Sequence, residues 1–138
     1  MMENIESNFD TLSVMVCDDS ALMRNLVSRI INEAPGMQVA GKAMNGKMLL
    51  DSLNDVKPDV IVLDIEMPVM TGVEASKVIR NLHKQDAMTI PIISVTANSI
   101  FENVFFSRKY GMDDYVGKPI EPENLYAVLK KWFDKYSK

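Results

Sequence analysis

The sequence predicts one α/β domain: a doubly wound, five-stranded parallel sheet with five helices packed over its two faces. Three observations carry this. Short segments rich in Val and Ile alternate five times with helix-length segments of amphipathic pattern. Two of the short segments, Val60-Ile61-Val62-Leu63 and Ile90–Val95, are almost continuously apolar, as strands covered on both faces must be. The chain has 138 residues, 47% of them hydrophobic, which is enough for one core and too few for two. Alternation of this kind closes through right-handed crossovers, and these put helices on both sides of the sheet.

The elements follow in order. A loose tail over residues 1–12 precedes the domain, which spans 13–138 and opens with a strand over Ser13–Cys17. The first helix, Ser20–Glu33, carries Leu22, Leu26, Val27, Ile30 and Ile31 at helical spacing and is stopped by Pro35-Gly36. Strands are predicted at Met37–Gly41, Val60–Leu63, Ile92–Val95 and Asp114–Gly117, and helices at Gly46–Leu53, Gly72–Leu82 and Ser99–Tyr110, the last closed by Gly111. Pro122 opens the fifth helix, Pro122–Tyr136, whose inward stripe is Leu125, Val128, Leu129, Trp132 and Phe133.

Composition excludes several classes. No apolar run approaches the roughly 18 residues a membrane span needs. Residues 1–11 contain Glu3, Glu6 and Asp10 and lack the basic start and apolar stretch of a secretory signal, so a cytoplasmic location is expected. With 15 Lys+Arg against 19 Asp+Glu the net charge is -4, which argues against direct nucleic-acid binding. Lys130, Lys131, Lys135 and Lys138 have the spacing of a solvated helix face. Cys17, the single cysteine, reads as a small core residue.

In an open parallel sheet, ligands bind beyond the carboxyl ends of the strands. Asp18 and Asp19 follow the first strand, Asp64 the third, Thr96 the fourth and Lys118 the fifth. Three carboxylates brought to one edge repel one another, and a hard divalent cation held by oxygen ligands resolves the repulsion. Mg²⁺ fits, because it accepts few protein carboxylates and keeps water or phosphate oxygens as its other ligands. Thr96 and Lys118 would add a donor and a positive charge for a phosphoryl group.

Asp18-Asp19, Asp64 with Met67-Pro68 and Gly72 behind it, Thr96-Ala97 and Lys118-Pro119, in that order and each at a strand end, closely resemble the receiver domain of two-component response regulators. The resemblance covers about Ser13 to Lys135. The run from Gly111 to Ile120 looks most like receivers attached to hybrid histidine kinases, and the early helix like the stand-alone chemotaxis type. The resemblance implies a CheY-like, flavodoxin-like sheet of strand order 2-1-3-4-5. It also implies phosphorelay signalling, in which Asp64 takes a phosphoryl group from a histidine kinase or histidine phosphotransfer protein. Asp19 would bind Mg²⁺ directly, Asp18 through water, and Asp64 and the backbone carbonyl of Glu66 would complete the protein ligands. Thr96, the N–H of Ala97 and Lys118 would hold the phosphoryl oxygens, with Lys118-Pro119 in the cis form. Thr96 and Tyr115 would switch, shifting the surface of the fourth helix, fifth strand and fifth helix toward a downstream protein or a second copy. On this reading the chain is a signalling domain and not an enzyme, gaining and losing only its own phosphoryl group.

Several residues invite separate readings. Phe101 and Phe105, four apart on the fourth helix, are expected to face outward as a protein-binding or self-association surface. Glu66, two residues beyond Asp64, is expected to influence the lifetime of the phosphorylated state. Asp113-Asp114 lies at the amino end of its strand and reads as a solvated turn, while His83 reads as a helix-terminal surface residue. Met residues fill core gaps and loop corners. A phosphohydrolase of the haloacid dehalogenase type is disfavoured because Met67-Pro68 follows Asp64-Ile65-Glu66 at once. A dinucleotide-binding module is disfavoured because no glycine fingerprint follows the first strand. A pseudo-receiver that binds partners without phosphorylation remains as the alternative. With the fifth helix close to the end of the sequence, the chain acts through protein contacts by itself or as the receiver of a longer protein.

Overall fold

The computed structural model of the chain describes residues 11–67, 70–82, 89–97 and 108–136. Its strands are β1 (Leu12–Cys17), β2 (Met37–Ala43), β3 (Val60–Asp64), β4 (Ile92–Thr96) and β5 (Asp114–Gly117). Its helices are α1 (Ala21–Glu33), α2 (Gly46–Ser52), α3 (Gly72–Arg80) and α4 (Pro122–Tyr136). The fifth predicted helix is therefore α4. Most of the predicted fourth helix, with Phe101 and Phe105, lies outside the described residues, as do Pro68 and His83; Arg108 and Lys109 are helical, and Gly111 follows with φ 87°.

All paired strands are parallel, in the order β2-β1-β3-β4-β5. Alternate residues divide into two cores. Val14, Val16, Val60, Val62, Ile93, Val95 and Val116 pack under α1 and α4, against Val27, Ile31, Leu125, Leu129 and Trp132. Met15, Cys17, Ile61, Leu63 and Ile92 pack under α2 and α3, against Leu49, Ala75 and Ile79. Burial on both faces explains why β1, β3 and β4 are mostly apolar, while the edge strand β2 is only partly covered.

Caps fix where the helices begin. Ser20 accepts from the Met23 N–H to start α1, Asn45 accepts from Met48 to start α2, and Thr71 with Glu74 forms a capping box on α3. α1 stops at Ala34, extended ahead of Pro35, and Gly36 turns the chain at φ 78°.

The strand bounds differ from the prediction in instructive ways. β1 begins at Leu12, which is buried and paired with Met37 although the sequence leaves it in the tail. β2 runs two residues past Gly41 to Ala43, after a register shift opposite Val14 and Met15. A Cβ on Gly41 would lie 2.9 Å from the Met15 Cε, so the glycine that reads as a strand end is where the long Met15 side chain crosses.

Asp113-Asp114 is not a solvated turn. Asp113 Oδ2 accepts from Arg80 Nη2 at 2.8 Å and from the Ile92 N–H at 2.9 Å. Asp114 is buried, and its Oδ2 accepts from Trp132 Nε1 at 3.0 Å and Lys131 Nζ at 3.1 Å. Donors brought from α3, β4 and α4 turn an acidic dipeptide into a clamp on β5. Among the described residues no helix is long and apolar enough to cross a membrane.

Candidate functional site at the carboxyl end of the sheet

The strand order reverses at β1 and β3, and the crevice beyond their ends receives Asp18, Asp19 and Asp64. One carboxylate oxygen from each lies within 4.8 Å of the others. Asp18 and Asp64 are 3% and 1% exposed, whereas Asp19 is open to solvent.

Local structure holds each group in place. The Asp18 N–H donates to the Ala43 carbonyl, its Oδ1 accepts from the Ser20 N–H at 2.9 Å, and its carbonyl accepts from Arg24 Nη1 at 2.8 Å. Asp64 is the last residue of β3, fixed by pairing with β4. Oδ1 of Asp64 accepts from Lys118 Nζ at 3.0 Å and from the Glu66 N–H at 3.2 Å; its other oxygen has no donor among the described residues. Lys118 leaves β5 beside Thr96, donating its N–H to the Thr96 carbonyl, and the Lys118-Pro119 bond is cis. Gly72 is essential to this packing. A Cβ there would lie 2.5 Å from the Asp64 carbonyl oxygen and 2.7 Å from Ile65 Cα, so any side chain would push α3 off the strand end that carries Asp64.

The electrostatics show a site short of positive charge. Burial pushes the Asp64 carboxyl up to about 6; the Lys118 bond opposes the rise and the Asp18 charge adds to it. Burial also raises Asp18, against the Ser20 hydrogen bond. Burial by itself would lower the Lys118 ammonium, but its bond to Asp64 and the surrounding carboxylates hold it above its usual value. Burial beside Asp18 and Asp64 drives the Cys17 thiol up to about 12. Three oxygen-donor side chains, two of them desolvated and balanced by one lysine, form an acidic cluster that could bind a metal, and their chemistry suits a hard divalent cation.

Thr96 ends β4, fully buried, and Ala97 follows it at the surface. Both donate to one atom: Glu66 Oε1 accepts from Thr96 Oγ1 at 3.2 Å and from the Ala97 N–H at 3.0 Å. The sequence assigns Glu66 a backbone role and an influence on the lifetime of the phosphorylated state, but does not reveal that its side chain bridges to β4. It also misses Ser20 and Arg24 as supports of Asp18; the helix-cap position of Ser20 is the one available signal. Tyr115 is half-buried, paired with Ser94, two register positions behind Thr96 and Gly117 and so on the same face of the sheet.

Known proteins are similar to this chain in sequence and in fold. The response regulator receiver domain model matches residues 14–130. The protein-glutamate methylesterase/protein-glutamine glutaminase of Treponema denticola is 41% identical over 122 residues, covering 86% of this chain and 32% of that protein. Among solved structures, chemotaxis protein CheY4 of Vibrio cholerae superposes with a TM-score of 0.78 at 30% identity, over 88% of this chain and 98% of that one. The response regulator domain of Thermotoga maritima CheB gives 0.73 at 30% identity, over 91% and 95%. The chain spans about a third of the length of the curated relatives it matches first. These relatives correct one expectation: they are named as enzymes, so the reading of the chain as a signalling domain that is not an enzyme does not stand. Receiver domains of this kind work in two-component phosphorelay signalling and interact with histidine kinases. By its strand order, its acidic crevice and its match over nearly the whole length, the chain belongs to the response regulator receiver domain family.

Proposed function

We propose that this receiver accepts a phosphoryl group on Asp64 from a phosphohistidine of a cytoplasmic histidine kinase or histidine phosphotransfer protein, with Mg²⁺ as cofactor. The observation that supports this best is the Lys118 ammonium 3.0 Å from the buried Asp64 carboxylate, with the Asp18 and Asp19 oxygens within 4.8 Å of it. A carboxylate oxygen of Asp64 attacks phosphorus, and the P–N bond breaks. Its electron pair leaves on the imidazole, which takes up a proton, and an acyl phosphate remains. Asp18, Asp19, Asp64 and the Glu66 carbonyl would hold Mg²⁺, which supplies charge neutralisation to the phosphoryl oxygens.

The chain's own contribution is position and charge. Asp64 titrates near 6 and is ionised at neutral pH, ready as a nucleophile. Lys118, Thr96 and the Ala97 N–H surround the oxygens of the incoming group. Thr96 is then drawn toward the phosphoryl group and Tyr115 inward behind it. The surface of β5 and α4 thereby changes its fit to a downstream protein or a second copy; most of the fourth-helix part of this expected surface lies outside the described residues.

Intact-mass measurement after incubation with Mg²⁺ and acetyl phosphate tests this. Wild type should gain one phosphoryl mass and Asp64→Asn none. Retained Mg²⁺ binding with no gain in wild type would instead assign the domain to phosphorylation-independent partner binding.

A further inference from the structure

We propose that the Glu66 carboxylate is a built-in occupant of the phosphoryl-oxygen site, a latch that the incoming group must displace. The inference rests on Asp64 being the phosphoacceptor. Its basis is that Glu66 Oε1 accepts from Thr96 Oγ1 at 3.2 Å and from the Ala97 N–H at 3.0 Å, the two donors that β4 presents beside Asp64. A backbone N–H has one hydrogen to give. While the Ala97 N–H is bonded to Glu66 it does not serve a phosphoryl oxygen, so the two acceptors are mutually exclusive there.

Charge sharpens the exclusion. A carboxylate and a phosphoryl dianion sharing one pair of donors repel one another, so one leaves. Glu66 can leave, because its side chain is exposed and turns into water, whereas Asp64 and Thr96 are anchored in paired strands. The Glu66 backbone stays put in either state, since its N–H donates to Asp64 Oδ1 at 3.2 Å. The resting site therefore resembles the loaded one, with the protein's own anion standing in for the ligand, and phosphorylation exchanges one for the other. The readout gains a threshold: only a group that binds Thr96 and Ala97 better than Glu66 does opens the latch.

The probe is beryllofluoride with Mg²⁺, a phosphoryl analogue, titrated against wild type, Glu66→Ala, Glu66→Asp and Glu66→Gln. Each variant's thermal unfolding serves as a check on folding. Removing a charged competitor for two donors should tighten beryllofluoride binding by about tenfold in Glu66→Ala. Glu66→Asp keeps the charge but falls one methylene short, and should follow Ala. Glu66→Gln keeps the acceptor without the charge and should fall between Ala and wild type. In the metal-free, ligand-free protein the Ala97 amide proton should move upfield in Glu66→Ala, reporting the lost bond directly. Equal beryllofluoride affinity in wild type and Glu66→Ala would overturn the latch while leaving Asp64 as acceptor. Binding in none of the proteins would overturn the acceptor reading and the latch with it.

Discussion

Asp18-Asp19 and Asp113-Asp114 are the same dipeptide at opposite ends of the parallel sheet, one beyond the end of β1 and the other at the start of β5. At the β5 end each carboxylate is matched. Asp113 receives Arg80 and a backbone N–H, and Asp114 receives Lys131, the Trp132 indole and the Tyr115 N–H. At the β1 end two acidic side chains join a third, Asp64, and the cation bonded to a carboxylate of this cluster is Lys118. Arg24 donates to the Asp18 carbonyl, and its charge offsets only part of the burial that raises the Asp18 carboxyl. A balanced acidic pair holds structure together, and an unbalanced one stores an appetite for positive charge. The dipeptide carries no information about which it will be; the partners arriving from distant elements decide.

The contrast predicts opposite signs for removing a charge at the two ends. Asp114→Ala deletes the acceptor of three hydrogen bonds, two of them joining β5 to α4, and should cost about 2–4 kcal/mol in denaturant unfolding. A neutral outcome would mean that the clamp is incidental.

Asp64→Asn should do the reverse, stabilising the metal-free protein at pH 7.5 by about 1–3 kcal/mol. The carboxyl titrates near 6 in the fold against an ordinary 3.8, so the folded state holds its proton more tightly. That contribution is complete below pH about 4 and is lost as pH rises through about 6. Wild-type stability should accordingly fall across this window without metal, and the slope should flatten in Asp64→Asn. A wild type that gains stability between pH 4 and 6 would show that Lys118 already balances the cluster.

The smallest effect belongs to a pair at neither end. Lys130 and Asp134, one turn apart on α4 and both about half exposed, lie 3.1 Å apart. Lys130→Ala should change stability by less than about 0.5 kcal/mol, and less still in high salt. A larger loss would mean that proximity, and not burial, sets the value of charge pairs here.

Much of this was legible in the sequence, for physical reasons. Val60–Leu63 had to be a central strand because it is apolar on both faces, and Pro122–Tyr136 carried both its start signal and its stripe. Asp18, Asp19, Asp64, Thr96 and Lys118 could be gathered because strand ends in a parallel sheet share one edge. The rest required distances. Nothing near Asp114 in the chain announces Trp132 as its partner, because that bond crosses from a strand to a helix 18 residues on. Glu66 could be flagged from its neighbour Asp64, yet the target of its carboxylate lies 30 residues away on β4. Leu12 and Lys42 joined strands through their pairing partners and not through their own preferences.

The buried thiol of Cys17 offers a clock for the same molecule. It lies 1% exposed on β1, a strand paired on both sides, and burial pushes its pKa up to about 12, so almost none of it is thiolate at neutral pH. Alkylation through the folded state is thereby closed off twice, by access and by ionisation. Each labelled molecule records a moment when the middle of the sheet came apart, so the rate of labelling reads the opening free energy beneath the acidic crevice, with no introduced probe.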